Sequence, residues 1–239
     1  MHDIAPHSRL ADVVTYHPPL ARELERLGLD YCCGGLRKLS EACEELGLDP
    51  DRVAGDLRTV AAAADDGPAE WAMMGLSQLV DHLETTHHRY LWDELPRIAG
   101  LVEKVVAAHA ERHPELYAVA DTFHALHAEL VPHLQKEETV LFPMIRELAT
   151  ADELPSFQCG SVANPISEML REHDQAGELL LTLREITGEY RAPDDGCSTY
   201  WTLYDALAHL EADTHLHVHK ENNLLFPAVT SVERRLVAG

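Results

Sequence analysis

Three features of the sequence predict an all-α chain. Apolar residues recur at the helical period over long stretches, and short alternating runs that would read as strands are few. Breaks rich in glycine and proline divide these stretches into helix-sized pieces. One histidine- and glutamate-containing motif occurs twice, in two of the long stretches.

Residues 1–62 read as a small helical domain. Its candidate helices are Leu10–Tyr16, Pro19–Leu27, Leu39–Leu46 and Asp49–Ala64. They are separated by His17-Pro18-Pro19, by Gly34-Gly35 and by Gly47. Residues 63–70 contain Asp65-Asp66-Gly67-Pro68, a composition typical of a linker. Residues 71–239 then carry four long helical stretches: about Met73–Ala99, Pro114–Ala149 with a lead-in at Leu101–His109, Pro165–Gly188, and Ser198–Val237. Loops are expected at Gly100, Arg112–Glu115, Thr150–Asn164 and Tyr190–Cys197. Four long helices joined in this way predict a four-helix bundle. Pro132, Pro143 and Pro227 fall inside or near the ends of these helices, where an interior proline costs about 3 kcal/mol. Local violations of this kind often mark functional regions.

Composition narrows the function. The chain has 239 residues and a formal net charge of −22. Such an acid excess argues against nucleic-acid partners and against docking on anionic lipid. No apolar run reaches the roughly 18 residues of a membrane span. Met1-His2-Asp3-Ile4-Ala5-Pro6 shows neither the basic nor the apolar part of a secretory signal, so a cytoplasmic location is expected. The five cysteines, Cys32, Cys33, Cys43, Cys159 and Cys197, are an odd number, which fits a reducing compartment and no disulfide framework. Histidine is in excess, with 16 residues.

The repeated motif explains part of that excess. His133-Leu-Gln-Lys-Glu137-Glu-Thr-Val-Leu-Phe-Pro143 matches His217-Val-His-Lys-Glu221-Asn-Asn-Leu-Leu-Phe-Pro227, 84 residues on. His and Glu four residues apart share one helix face. In the second long helix Phe123, Leu126, Leu130, His133, Glu137, Val140 and Met144 form one stripe. In the fourth, Leu203, Leu207, Leu210, Thr214, His217, Glu221 and Leu224 do the same. Both His/Glu pairs are thus expected in the core. A buried carboxylate without a counter-charge costs several kcal/mol, so a cation is expected there. His173 lies on the inner stripe of the third helix. The first helix offers His82, His87 and His88. Its apolar positions Leu76, Val80, Leu83, Leu91 and Leu95 favour His87, whereas repeat symmetry favours His88, because His88 precedes His133 by 45 residues and His173 precedes His217 by 44. Imidazole and carboxylate ligands without thiolate suit a dinuclear iron or manganese site in a bundle core.

Asp30-Tyr31-Cys32-Cys33-Gly34-Gly35 is the second functional candidate. Its glycines permit a tight turn that either exposes two thiols for redox chemistry or iron transfer or is a structural turn with buried thiols. Cys43, between Leu39 and Leu46, reads as core. Glu129 and Glu172, next to candidate ligands, read either as supporting groups or a polar path for iron or protons, or as part of a solvated helix face.

These motifs resemble one family. The bundle is similar to a hemerythrin-like domain, through Glu94-Leu95-Pro96, Lys136-Glu137-Glu138, Leu141-Phe142-Pro143, Glu172-His173-Asp174 and Glu221-Asn222-Asn223-Leu224-Leu225-Phe226-Pro227. With Leu27-Gly-Leu-Asp-Tyr-Cys-Cys-Gly-Gly35 and Leu39-Ser-Glu-Ala-Cys43, nearly the whole chain resembles the RIC (repair of iron centres) di-iron proteins. The resemblance implies a non-haem centre of two iron ions held by His88, His133, Glu137, His173, His217 and Glu221, with both glutamates bridging. This set has one histidine fewer than the oxygen-carrying hemerythrins, which favours reactivity or iron release over gas carriage. The resemblance further implies repair of iron–sulfur clusters damaged by oxidative or nitrosative stress, iron–sulfur proteins as partners, and a homodimer. Two other readings remain open at this point: a di-iron redox enzyme acting on nitric oxide or peroxide, and a carrier or sensor of O2 or NO.

Overall fold

The computed structural model describes residues 4–64 and 70–238; residues 65–69 of the expected linker lie outside the described residues. Helices and turns account for the described chain, and no strand occurs among the described residues. The chain divides into two compact units, one comprising Met1–Val80, Leu148–Leu154 and His215–Gly239, the other Asp81–Glu147 and Pro155–Thr214.

In the first unit, helices α1 (Leu10–Tyr16), α2 (Ala21–Arg26), α3 (Leu39–Glu45) and α4 (Pro50–Ala64) follow the expected order. Two of their ends have a simple cause. Gly28 and Gly47 adopt left-handed backbone angles (φ 71° and 68°), which a side chain disfavours. The next amides, of Leu29 and Leu48, then bond back to the carbonyls of Leu24 and Cys43. At the start of α4 the Asp49 carboxylate accepts the amides of Asp51 and Arg52, while Pro50 occupies a position that needs no amide hydrogen. Leu10, Val14, Leu20, Leu24, Leu39, Cys43 and Leu57 form the core of this unit, and Val218 joins it. Cys43 is therefore core, as expected.

The long helices follow, with Asp81–Glu147 and Pro155–Thr214 in the second unit and the remaining stretches, from His215 onward among them, in the first. Helix α5 (Leu76–Leu83) passes through a π-helical turn at Glu84–His88 into α6 (Arg89–His109). Helix α7 (Glu115–Lys136) continues through a second π turn, Glu137–Leu141, into α8 (Phe142–Thr150). Helix α9 (Ala163–Ile186) precedes α10 (Ser198–Lys220), which leads through a third π turn, Glu221–Leu225, into α11 (Phe226–Ala238). Leu91, Leu95, Ile98, Phe123, Leu126, Leu180, Leu203 and Leu207 share one core drawn from α6, α7, α9 and α10.

Two local expectations fail for physical reasons. Helix α6 runs straight through Gly100, where a loop was expected. Ile98, Val102 and Val105 are all buried against the bundle, and their burial outweighs the roughly 1 kcal/mol that a helical glycine costs. The inner stripes also change phase. Val140 is 46% exposed, whereas Leu141, Phe142 and Ile145 are buried. Leu224 is only half-buried, whereas Leu225 and Phe226 are buried. A π turn holds one residue more than an α turn, so the face that points inward moves on by one residue. Pro143 and Pro227 each follow such a turn by two residues. These two prolines thus mark widened turns, whereas Pro132 lies within α7 itself.

Candidate metal centre

Each of the three π turns contains or begins at a candidate ligand: His88, Glu137 and Glu221. Wide turns of this type recur at functional sites because they re-aim side chains without ending the helix.

In the second unit, the ligand atoms of His133, Glu137 and His173 lie within 4.8 Å of one another. His133 Nε2 and His88 Nε2 approach the same oxygen, Glu137 Oε2, at 3.3 and 3.4 Å. His173 Nε2 lies 3.3 Å from His133 Nε2. Glu137 is 0% exposed and the three imidazoles are buried. Each of two histidines turns its other nitrogen to a further carboxylate. His88 Nδ1 bonds Glu138 at 2.9 Å, and Glu138 also accepts the Trp92 indole N–H at 2.8 Å. His133 Nδ1 bonds Glu172 at 3.0 Å, and Lys136 donates to the other Glu172 oxygen. His133 and Lys136 hold the Glu172 carboxyl down to about 2, against the effect of its burial. These carboxylates accept the Nδ1 hydrogen, which directs the Nε2 lone pair toward a metal.

In the first unit the second copy of the motif has the same local form. His217 Nε2 lies 3.2 Å from Glu221 Oε1, and Glu221 is 0% exposed. The surrounding positions do different work. Lys220, the counterpart of Lys136, is buried with its ammonium over the Trp71 ring at 5.2 Å. Asn222 and Asn223 replace Glu138 and Thr139 and reach the Cys-Cys turn. Asn223 Nδ2 donates to the Cys32 carbonyl at 2.9 Å, and Asn222 Nδ2 to the same oxygen at 3.4 Å. His219 Nδ1 donates to the Tyr31 carbonyl at 3.3 Å, and the Thr15 hydroxyl lies 3.2 Å from its Nε2. Burial holds His219 down to about 4, so the ring that makes these bonds is neutral. Gly35 is required by this docking. A Cβ there would come within 2.5 Å of both Asn223 Oδ1 and the Tyr31 carbonyl.

The turn itself is built by Asp30. Its carboxylate accepts the amides of Cys32, Cys33 and Gly34 at 2.8 to 3.0 Å. Ligand atoms of Asp30, Cys32 and Cys33 lie within 4.8 Å of one another, a second group able to hold a metal. Cys32 is buried and Cys33 half-buried. The Cys33 sulfur, burial and Asp30 together raise the Cys32 thiol well above its ordinary value. Cys32 is therefore a thiol at neutral pH, and a metal binding there would displace its proton.

The sequence left His87 and His88 as alternatives, and both are buried. The extra residue of the π turn brings two successive positions inward. His87 Nδ1 bonds Asp213 at 2.9 Å, away from Glu137, whereas His88 faces Glu137. His88→Ala is expected to lower bound iron at least tenfold in affinity, and His87→Ala to leave it within about twofold. Metal titration of the two variants checks this; equal losses would reject the distinction. The sequence alone assigned no role to Glu138, Trp92, Asn222 and Asn223. For Glu138, Asn222 and Asn223 the signal was divergence between the two motif copies at positions that a shared ligand role leaves unconstrained; Trp92 lies outside both copies.

The donor set fits a metal. Buried carboxylates beside imidazoles, without thiolate, suit iron or manganese. Residues 78–229 match the hemerythrin HHE cation binding domain, and residues 6–61 match a domain of unknown function (DUF542). The chain is similar to proteins called iron-sulfur cluster repair protein YtfE. That of Enterobacter sp. (strain 638) is 32% identical over 225 residues, 94% of this chain and 97% of the relative. Those of Cronobacter sakazakii and Escherichia coli O81 are each 31% identical, with the same coverage. No helix among the described residues is long and apolar enough to cross a membrane. Two buried His/Glu motifs, the Cys-Cys turn docked on the second, and relatives matched almost end to end together place this chain in the RIC family of hemerythrin-domain proteins.

Proposed function

We propose that this chain repairs iron–sulfur clusters damaged by oxidative or nitrosative stress, as a cytoplasmic donor of iron to iron–sulfur proteins. In this reading residues 1–62 form a Cys-Cys domain, 63–70 a linker and 71–239 the iron-holding bundle. His88, His133, Glu137, His173, His217 and Glu221 hold two irons, and Glu137 and Glu221 bridge them. Support comes from the duplicated motif, from the similar local His–Glu spacing of its copies (3.3 and 3.2 Å), and from the family. When bound, iron is both the resident metal and the cargo of this chemistry.

The observation that carries the donor reading is the docking of the Cys-Cys turn on Asn222 and Asn223, beside Glu221. A gas carrier has no use for paired thiols fastened to the ligand-bearing turn. Asn223 and His219 fix the carbonyls of Tyr31 and Cys32, so the turn that carries the buried Cys32 and the half-buried Cys33 stands on a fixed support. Asp30, Cys32 and Cys33 supply a hard oxygen and two soft sulfurs, a set suited to receive iron in transit. The test is metal analysis of the iron-loaded protein before and after incubation with an apo-cluster acceptor. Iron leaving this chain in step with iron gained by the acceptor is the expected result. Turnover of nitric oxide or peroxide over many cycles with full iron retention would favour the redox enzyme. A homodimer is proposed as well, and sedimentation of the full chain measures it.

A further inference from the structure

Distant in sequence from the Cys-Cys turn, the second unit pairs another thiol with an imidazole. Cys197 is exposed and immediately precedes α10. Its Sγ lies 3.1 Å from Nε2 of His109, which is 6% exposed at the end of α6. Arg112 Nη2 lies 3.5 Å from the other nitrogen, His109 Nδ1. An arginine only donates, so Nδ1 accepts and a ring hydrogen sits on Nε2. That hydrogen points at the sulfur. A thiolate accepts such a bond far better than a thiol, so the arrangement favours the thiolate.

The remaining charged neighbours do not oppose this. Asp195 is engaged by His113 Nε2 at 3.0 Å and by Arg112 Nη1 at 3.3 Å. Glu115 bonds His113 Nδ1 at 3.2 Å. Tyr200 packs edge-on against both His109 and His113, with ring centroids 5.3 and 5.7 Å away. His109 first, then the amides of Tyr200 and Thr199 at the start of α10, bring the Cys197 thiol down to about 7. The other cysteines differ: Cys32 and Cys43 are buried, with thiols raised by their surroundings, and Cys159 Sγ rests against the Met144 sulfur at 3.8 Å.

We propose that Cys197 and His109 form a thiol–imidazole site at which low-molecular-weight disulfides react, so that Cys197 is capped reversibly as a mixed disulfide. The step balances as ordinary exchange. The Cys197 thiolate attacks one sulfur of R–S–S–R; the Cys197–S bond forms as the S–S bond breaks, and the departing RS⁻ takes a proton from water. Cys197 is oxidised to the disulfide level and half of the small disulfide is reduced to a thiol. A second small thiol reverses it. His109 holds the hydrogen that stabilises the thiolate and is a positioning residue in this exchange.

The test uses the full chain and glutathione disulfide as the probe, with peptide mapping by mass spectrometry. At pH 7 Cys197 is expected to be capped first among the five cysteines, and Cys197→Ser to lose that adduct. The rate of capping plotted against pH is expected to have its midpoint near 7. In His109→Ala and His109→Gln the midpoint moves up toward the ordinary thiol value of about 8.5. The rate at pH 7 falls only about threefold, because the more basic thiolate is scarcer but more nucleophilic. Circular dichroism identifies a variant that fails to fold, and the glutamine variant then carries the comparison. Capping of Cys159 or Cys33 ahead of Cys197, or a midpoint unchanged in both His109 variants, would overturn the proposal.

Discussion

If the proposed site of two irons is right, replacing Glu137 or Glu221 with leucine is expected to remove its coupled di-iron signature and to lower bound iron below the proposed two per chain. Each carboxylate lies at 0% exposure, held 3.2 to 3.4 Å from the imidazoles of its own unit. No other oxygen from the same turn takes its place, because Glu138 is already bonded to His88 and Trp92. Leucine fills a similar volume without a charge to desolvate. The metal-free variants should therefore fold at least as stably as the metal-free parent, by about 0 to 3 kcal/mol. Iron analysis, a spectroscopic measure of iron–iron coupling, and thermal melts of the metal-free forms together check this. A coupled signature that survives in either variant rejects the bridging role. Lost iron with unchanged or higher metal-free stability shows that the carboxylates are kept for the metal and not for the fold.

The Cys32→Ser/Cys33→Ser double variant is expected to keep its bundle iron and to lose most of its cluster-restoring activity, by tenfold or more. The contacts that fasten the turn are made by main-chain atoms of residues 31–34 and by the Asp30 carboxylate. Serine leaves these in place, so the neighbouring Glu221 turn keeps its support. What disappears is the pair of soft ligands beside Asp30. Iron content and repair of an acceptor cluster, measured on the same preparation, separate the two halves. Iron lost from the bundle would mean that the thiols serve the resident metal; full repair activity would reduce the motif to a structural turn.

Much of this protein was legible before any coordinates. The helical class follows from apolar periodicity, and the His–Glu pairs follow from a motif strong enough to be seen twice. α1, α3 and α4 start and stop where Gly47, Asp49 and the apolar positions say they should. These are local matters, decided by backbone preference and by residues within a few positions of each other. The choice between His87 and His88 was not of that kind. A stripe drawn at a uniform 3.6 residues per turn cannot anticipate a π turn, and the same cause turned Val140 and Leu224 outward. Nor does periodicity account for α6 passing through Gly100, because burial of Ile98, Val102 and Val105 comes from helices far along the chain.

The sequence by itself determined the fold class, the family and the types of donor atom: these rest on composition, spacing and motif, which survive without knowledge of what packs where. Only the tertiary structure decided what each donor leans on. Glu138 reaches His88 across 50 positions, Glu172 reaches His133 across 39, and Asn223 reaches the Cys32 carbonyl across 191. Such partners are selected by the packing of distant helices, and a hydrogen bond between distant residues leaves no period in either segment.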